Sequence, residues 1–265
     1  MAAASSKRVR GLTPEATVRA MYRKLERAWG AQHWWPAESV FEVIVGAILT
    51  QNTSWTNVER ALMSLRAAGA LSPGAIRALP VAQLETFVRS SGYYRQKAER
   101  LKRFVEFLDD SYQGSLELMF ATPTSRLRTE LLSLKGIGPE TADAILLYAG
   151  NHEIFVVDTY ARRILARHGV VEPVAKYDDI RTLIERALRK VTPRALVQHK
   201  PRNKPEVHSP SAVSTAKRSS LAQVYNEMHG LMVQAGKHYC HKQEALCDRC
   251  PLRSLLPNPP LHSSL

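Results

Sequence analysis

Apolar positions along the chain recur with a helical period. Phe41, Ile44, Val45, Ile48 and Leu49 fall at i, i+3, i+4, i+7 and i+8, the apolar stripe of an amphipathic helix. Leu101, Phe104, Val105 and Leu108 repeat the spacing, and so do Ala142, Ile145, Leu146 and Ala149. Turn signals separate the runs: Gly69, Ser72-Pro73-Gly74, Ser90-Ser91-Gly92 and Thr122-Pro123. The one β-branched cluster, Ile154 to Val157, is too short to build a sheet. The pattern predicts an all-α chain.

Residues 193–220 break the periodicity with four prolines and few large apolar side chains, which predicts a flexible linker. Helical spacing resumes at Leu221, Val224, Met228 and Leu231, while 1–14 and 257–265 read as loose tails. Composition agrees with a globular chain of one or two domains: 265 residues, 45% hydrophobic and 23% charged. No apolar run reaches the roughly 18 residues of a membrane span. The first dozen residues also lack the apolar stretch of a secretory signal. Three cysteines, an odd number, exclude a disulfide scaffold and favour a reducing, cytoplasmic setting. A net charge of +13 favours a polyanionic partner, most often nucleic acid. Lys7, Arg8, Arg10 and the 193–220 stretch carry much of that excess, so a merely basic surface stands as an equal alternative.

The most informative stretch is LLSLKGIGPETADAILLYA, 131–149. Gly136 and Gly138 flank Ile137, and Pro139 stands at the expected first position of a helix, where its missing N–H is tolerated. Glycines there allow a sharp turn that leaves N–H groups pointing outward at a helix start, a natural phosphate site. A GxG alone is more often a plain turn. The flanks, Leu131 and Leu134 before and Thr141, Ala142 and Ile145 after, make this a helix-hairpin-helix pattern. Twenty residues beyond the second glycine, FVVDTYARRIL places Asp158 at another helix start. Alone it reads as an N-cap. Downstream of a phosphate-binding hairpin, the carboxylate can also stabilise positive charge at an anomeric carbon or orient water there.

Together these segments resemble the endonuclease III, or HhH-GPD, superfamily of DNA glycosylases. FEVIVGAILTQNTSWTNVERAL (41–62) and SGYYRQKAERLKRF (91–104) are similar to its helical signatures. Within it, Trp34-Trp35-Pro36, LTQNT and KGIGPETADAILLY resemble the 3-methyladenine DNA glycosylase III family most closely. The resemblance implies two helical domains with the DNA cleft between them. A six-helix barrel with the hairpin would span 37–149. The second domain, with a Cys loop, would combine 15–36, 150–192 and 221–256. It further implies a monomeric, nucleoid-associated enzyme that hydrolyses the N-glycosidic bond of a damaged base in double-stranded DNA, with no membrane partner.

The resemblance also implies roles. Asp158 is the expected catalytic residue, and Gly136, Ile137, Gly138, Lys135 and Thr141 are expected to contact DNA. Gln51 matches the wedge that fills the space of an extruded base. Trp34, Trp35, Phe41 and Trp55, with Lys237, are candidate base-pocket residues, an aromatic lining that suits a cationic alkylated purine. Core packing is the plain alternative for each ring. Bifunctional members carry a Schiff-base lysine where this chain has Glu140. A carboxylate cannot form that adduct, so hydrolysis by water is expected and strand cleavage is not. The alternatives are a bifunctional enzyme acting on oxidised pyrimidines and a non-catalytic damaged-DNA-binding protein.

Arg89, Arg95, Lys97, Arg100, Lys102 and Arg103 stand against the single acid Glu99, a run that suits phosphate contact or a solvated face. Cys240, Cys247 and Cys250 match the first three ligands of the superfamily's 4Fe-4S loop, but the fourth position is Leu256. A cluster completed by water, His238 or His241, a zinc ion on three Cys and a His, and an empty loop are the alternatives.

Overall fold

The computed structural model describes residues 11–193 and 208–257. Among them are twelve α-helices: α1 (Pro14–Trp29), α2 (Val40–Leu49), α3 (Trp55–Ala67), α4 (Pro73–Ala78), α5 (Val81–Val88), α6 (Tyr94–Tyr112), α7 (Leu116–Phe120), α8 (Thr124–Ser133), α9 (Pro139–Ala144), α10 (Thr159–Arg167), α11 (Tyr177–Leu188) and α12 (Ser220–His238). A π-helical turn, Ile145–Ala149, continues α9. Side-chain caps start many of these helices: Thr13, Ser39, Ser72, Ser115, Asp158 and Ser219 each accept an amide three residues ahead. The described residues contain no strand beyond an isolated bridge between Cys240 and Ala245, so the chain is all-α as expected. Ile154 to Val157 runs as buried irregular chain. Its backbone is satisfied by side chains instead of a ladder: Phe155 N–H donates to Glu185 and Val157 N–H to the Tyr177 hydroxyl.

The chain divides into two compact units. One gathers the described residues of Met1–Trp34, Ile154–Pro210 and Lys217–Leu265, the other those of Trp35–Glu153 and Ser211–Ala216. In the first, α1 lies against α11 and α12, and α10 lies against α12. In the second, α2 is buried along almost its whole length, from Phe41 to Leu49, against α3, α6 and the π turn. That burial on all sides explains why its sequence is apolar beyond a single stripe.

Part of the expected linker is ordered. Residues 194–207 lie outside the described residues, but Ser211–Ala216 joins the second unit. There Val213 is buried and donates its N–H to the Ala37 carbonyl at 3.3 Å. Ser211 and Ser214 exchange side-chain and backbone hydrogen bonds, so a short polar segment satisfies itself around one apolar anchor. Of the expected tails, 1–10 and 258–265 lie outside the described residues, and Thr13 already caps α1.

Candidate functional site

The hairpin joins α8 to α9 within the second unit. Gly136 adopts φ +94°, a conformation that favours glycine, and a Cβ there would stand 2.3 Å from Arg100 Nε, so a larger residue would also have to displace the Arg100 side chain. Ile137 turns its side chain inward and donates its N–H to Leu134 O at 2.9 Å. Gly138 occupies the N-cap of α9 without a side-chain cap. Among the described residues no acceptor takes the amides of Gly136 and Gly138. Two amides at a helix start can hold an anionic oxygen. Lys135 and Glu140 are exposed on either side of the turn.

Gln51 is tied to this turn. Its Nε2 donates to Gly136 O at 3.0 Å and to the buried Thr141 Oγ1 at 2.8 Å, and its Oε1 accepts from Arg100. The structure therefore brings Gln51, Gly136, Thr141 and Arg100 together. In this state the expected wedge is a strut of the hairpin.

Two residues of the basic run are not surface charges, which corrects that reading. Lys97 is fully buried and its Nζ donates to Leu49 O at 2.8 Å and Ser91 O at 2.6 Å. Burial, aided by the Arg100 charge, pulls its pKa down to about 8. Lys102 donates to the carbonyls of Ile76, Arg77 and Leu79 at the end of α4. Both amines neutralise the carbonyl ends of helices. Arg89 and Arg95 remain exposed, and Arg100 and Arg103 are half-buried.

The candidate base-pocket residues fall in both units. In the second, Trp35 is buried, with the Trp55 ring edge-on at 5.0 Å and Tyr148 at 5.3 Å. Phe41 is buried in α2, and Trp55 is half-buried. In the first, Trp34 is buried against His208 at 5.3 Å, with Lys237 Nζ 5.8 Å from its ring centroid. These rings meet protein in edge-on and cation–π contacts.

Asp158 caps α10: Oδ1 accepts the Ala161 N–H at 2.7 Å. Its side chain keeps 12% exposure, and 3.5 Å from Oδ2 lies Nε2 of His229, a residue of α12 with 5% exposure. Burial lowers the pKa of His229 and the Asp158 charge opposes the shift; the net direction is down. Tyr160, the second residue of α10, packs so tightly on α12 that a Cβ at Gly236 would stand 2.2 Å from its ring. Sequence reasoning found Asp158 and missed His229. Its only sequence signal is a histidine at i+4 from Tyr225 on an otherwise apolar helix face.

Cys240, Cys247, Cys250 and Leu256 line one cavity with Arg167, about 410 Å³ of empty space including its mouth. Arg167 donates to Cys240 Sγ at 3.2 Å and His241 O at 2.6 Å, and Arg163 donates to Cys240 O at 2.7 Å, so α10 is bonded to the loop. Burial pushes the Cys250 thiol up to about 11 and raises Cys247 as well. Among the described residues no group of three or more His, Cys, Asp or Glu is set to hold a single metal ion. His238 Nε2 is engaged with Gln234 Oε1 at 3.1 Å. Three thiols line this cavity. Leu256 puts hydrocarbon at the fourth ligand position, so the residues do not fit a group held by four thiolates.

Residues 45–190 match the model of the HhH-GPD superfamily base excision DNA repair proteins. The chain belongs to that superfamily. A Methanocaldococcus jannaschii protein named as a DNA repair glycosylase is 41% identical over 235 residues, 88% of this chain and 92% of its own. The H. pylori 3-methyladenine DNA glycosylase, solved with 1,N6-ethenoadenine, is 30% identical, with a TM-score of 0.66 over 85% of this chain and 98% of that one. A non-covalent endonuclease III–DNA complex shares the fold, with a TM-score of 0.68 at 21% identity, covering 92% and 95% of the two chains. The matched residues 45–190 include the hairpin and Asp158. No helix among the described residues is long and apolar enough to cross a membrane.

Proposed function

We propose that this HhH-GPD protein is a monofunctional DNA glycosylase, hydrolysing the N-glycosidic bond of a damaged base in duplex DNA and acting as a monomer. The observation that carries the reading is the Asp158 carboxylate, fixed through one oxygen by the α10 amide while the side chain stays partly exposed. A carboxylate so held can stabilise the oxocarbenium-like charge at the anomeric carbon and orient the attacking water. The hairpin amides of Gly136 and Gly138 would take a DNA phosphate, and the Arg89 and Arg95 side chains would add non-specific attraction.

Glu140 supports hydrolysis without strand cleavage, since it offers no amine to attack the sugar. An alkylated purine is the proposed substrate class. The H. pylori relative binds an adenine adduct, and a cationic alkylated base leaves readily without strong acid catalysis. Cys240, Cys247 and Cys250 would hold an iron–sulfur cluster at three corners, and such a cluster would supply structure to the loop and to α10. Duplexes carrying alkylated, oxidised or deaminated bases, assayed with and without alkali, test the reading. Alkali-dependent breaks at alkylated purines support it. Breaks without alkali, or a covalent adduct trapped by borohydride, identify a lyase. Binding with no base release identifies a non-catalytic protein.

A further inference from the structure

We infer that His229 is a positioning residue of this active site, holding the Asp158 carboxylate in a single pose and keeping its negative charge available. The inference rests on the glycosylase reading. Within its unit, Asp158 meets a neighbour on each oxygen. Oδ1 accepts the Ala161 amide at 2.7 Å, and Oδ2 has His229 Nε2 at 3.5 Å. One oxygen is fixed by a hydrogen bond and the other faces the imidazole edge at a charge–dipole distance, and preorganisation of this kind is what a charge-stabilising group requires.

The imidazole is itself held. The Phe155 ring stands edge-on to it, centroids 6.2 Å apart at 70°, and edge-on to Tyr225 at 6.0 Å. Phe155 is in turn anchored by its N–H to Glu185 Oε1 at 3.0 Å. Protonation state decides what the contact does. A neutral imidazole with its hydrogen on Nε2 offers a dipole to the carboxylate and leaves the charge in place. An imidazolium would form an ion pair and quench the charge that a developing cation needs. Burial keeps His229 on the neutral side. The other titratable groups around the pair do not supply this contact. Tyr160 has its pKa raised by burial and by Asp158, Glu185 is paired with Arg181, and the Tyr225 hydroxyl donates to Glu185 O at 3.4 Å.

The test compares His229→Leu, which removes the polar edge, with His229→Gln, which returns an N–H near the Nε2 position. Base release is followed in single turnover with enzyme in excess. Affinity is measured on an uncleavable abasic-analogue duplex, and folding by thermal melting. His229→Leu is expected to slow base release about tenfold or more while affinity stays within about twofold, and His229→Gln to recover most of the rate. A catalysis-independent arm follows the His229 ring nitrogens by NMR. Asp158→Asn should move their titration to lower pH, because it removes the charge that opposes the burial effect. A wild-type rate in His229→Leu overturns the inference. Equal slowing in both folded variants, or a His229 titration indifferent to Asp158→Asn, does the same. If His229→Leu does not fold, the Gln variant and the NMR arm decide. If wild-type protein releases no base while the titration still moves, the glycosylase reading fails, the catalytic role falls with it, and the contact stands.

Discussion

Lys97→Met isolates a buried amine at the end of α2, two residues before Gln51. Methionine keeps the hydrocarbon stem and removes the donor to Leu49 O and Ser91 O. Two effects oppose each other. The stranded carbonyls destabilise the variant by about 1–3 kcal/mol each. Against that, the variant no longer buries a charge. The pKa of Lys97 falls from 10.5 to about 8, a depression worth up to about 3 kcal/mol. The sign follows from proton affinity. The unfolded chain holds the Lys97 proton more tightly than the folded one, so below about pH 8 folding carries the full penalty. Between pH 8 and 10.5 the folded protein has lost the proton and the unfolded chain has not, so this residue's contribution to stability rises with pH. Urea unfolding of both proteins at steps from pH 7.5 to 10.5 reads the difference directly, other titrations cancelling between them. The stability of wild type relative to the variant should rise with pH by up to about 3 kcal/mol, whichever of the two is the more stable at pH 7.5. A difference that is flat or falls across this range would refute the reasoning.

Gly136→Ala forces a Cβ onto a backbone at φ +94° and into Arg100, so it should lose about 1–3 kcal/mol of stability and weaken duplex-DNA affinity by fluorescence anisotropy. Unchanged melting and affinity would show that the turn does not need glycine. Arg128→Met removes the guanidinium that engages the fully buried Asp143 carboxylate at 2.7 and 3.2 Å. About 3–5 kcal/mol of stability should be lost in urea unfolding, and a loss under about 1 kcal/mol would contradict a buried pair. Leu256→Cys adds a thiol to the wall of the cysteine cavity. After anaerobic reconstitution with iron and sulfide, the variant should retain more iron in air than wild type, and equal retention would mean the fourth corner is not at Leu256.

Much of this was legible in the sequence. Helical spacing, the turn signals and the Gly136-Ile137-Gly138-Pro139 hairpin are local features, and local features survive folding unchanged. Asp158 was legible as a cap because its role needs only the amide of Ala161 three residues on. The contacts that sequence could not supply join distant positions. Lys97 looked like one charge in a surface run, and only the fold brings Leu49 and Ser91 to its amine. His229 lies 71 positions from Asp158, and its i+4 spacing from Tyr225 says nothing of that partner. The proline-bearing stretch resembled a linker throughout, yet Val213 gives it one apolar anchor, enough to order 211–216 on the second unit. Gln51 matched a wedge by position, while its bonds to Gly136 and Thr141 depend on how the hairpin folds back.

The most direct test of the account is Asp158→Asn. Asparagine caps a helix about as well as aspartate, so α10 should start as before and melting should be little changed. The charge is lost, and with it the stabilisation of the anomeric carbon. In single turnover on a duplex bearing an alkylated purine, base release should fall by about 100-fold or more, with affinity for the duplex retained. A variant that releases base at the wild-type rate would contradict the central claim that this carboxylate carries the chemistry.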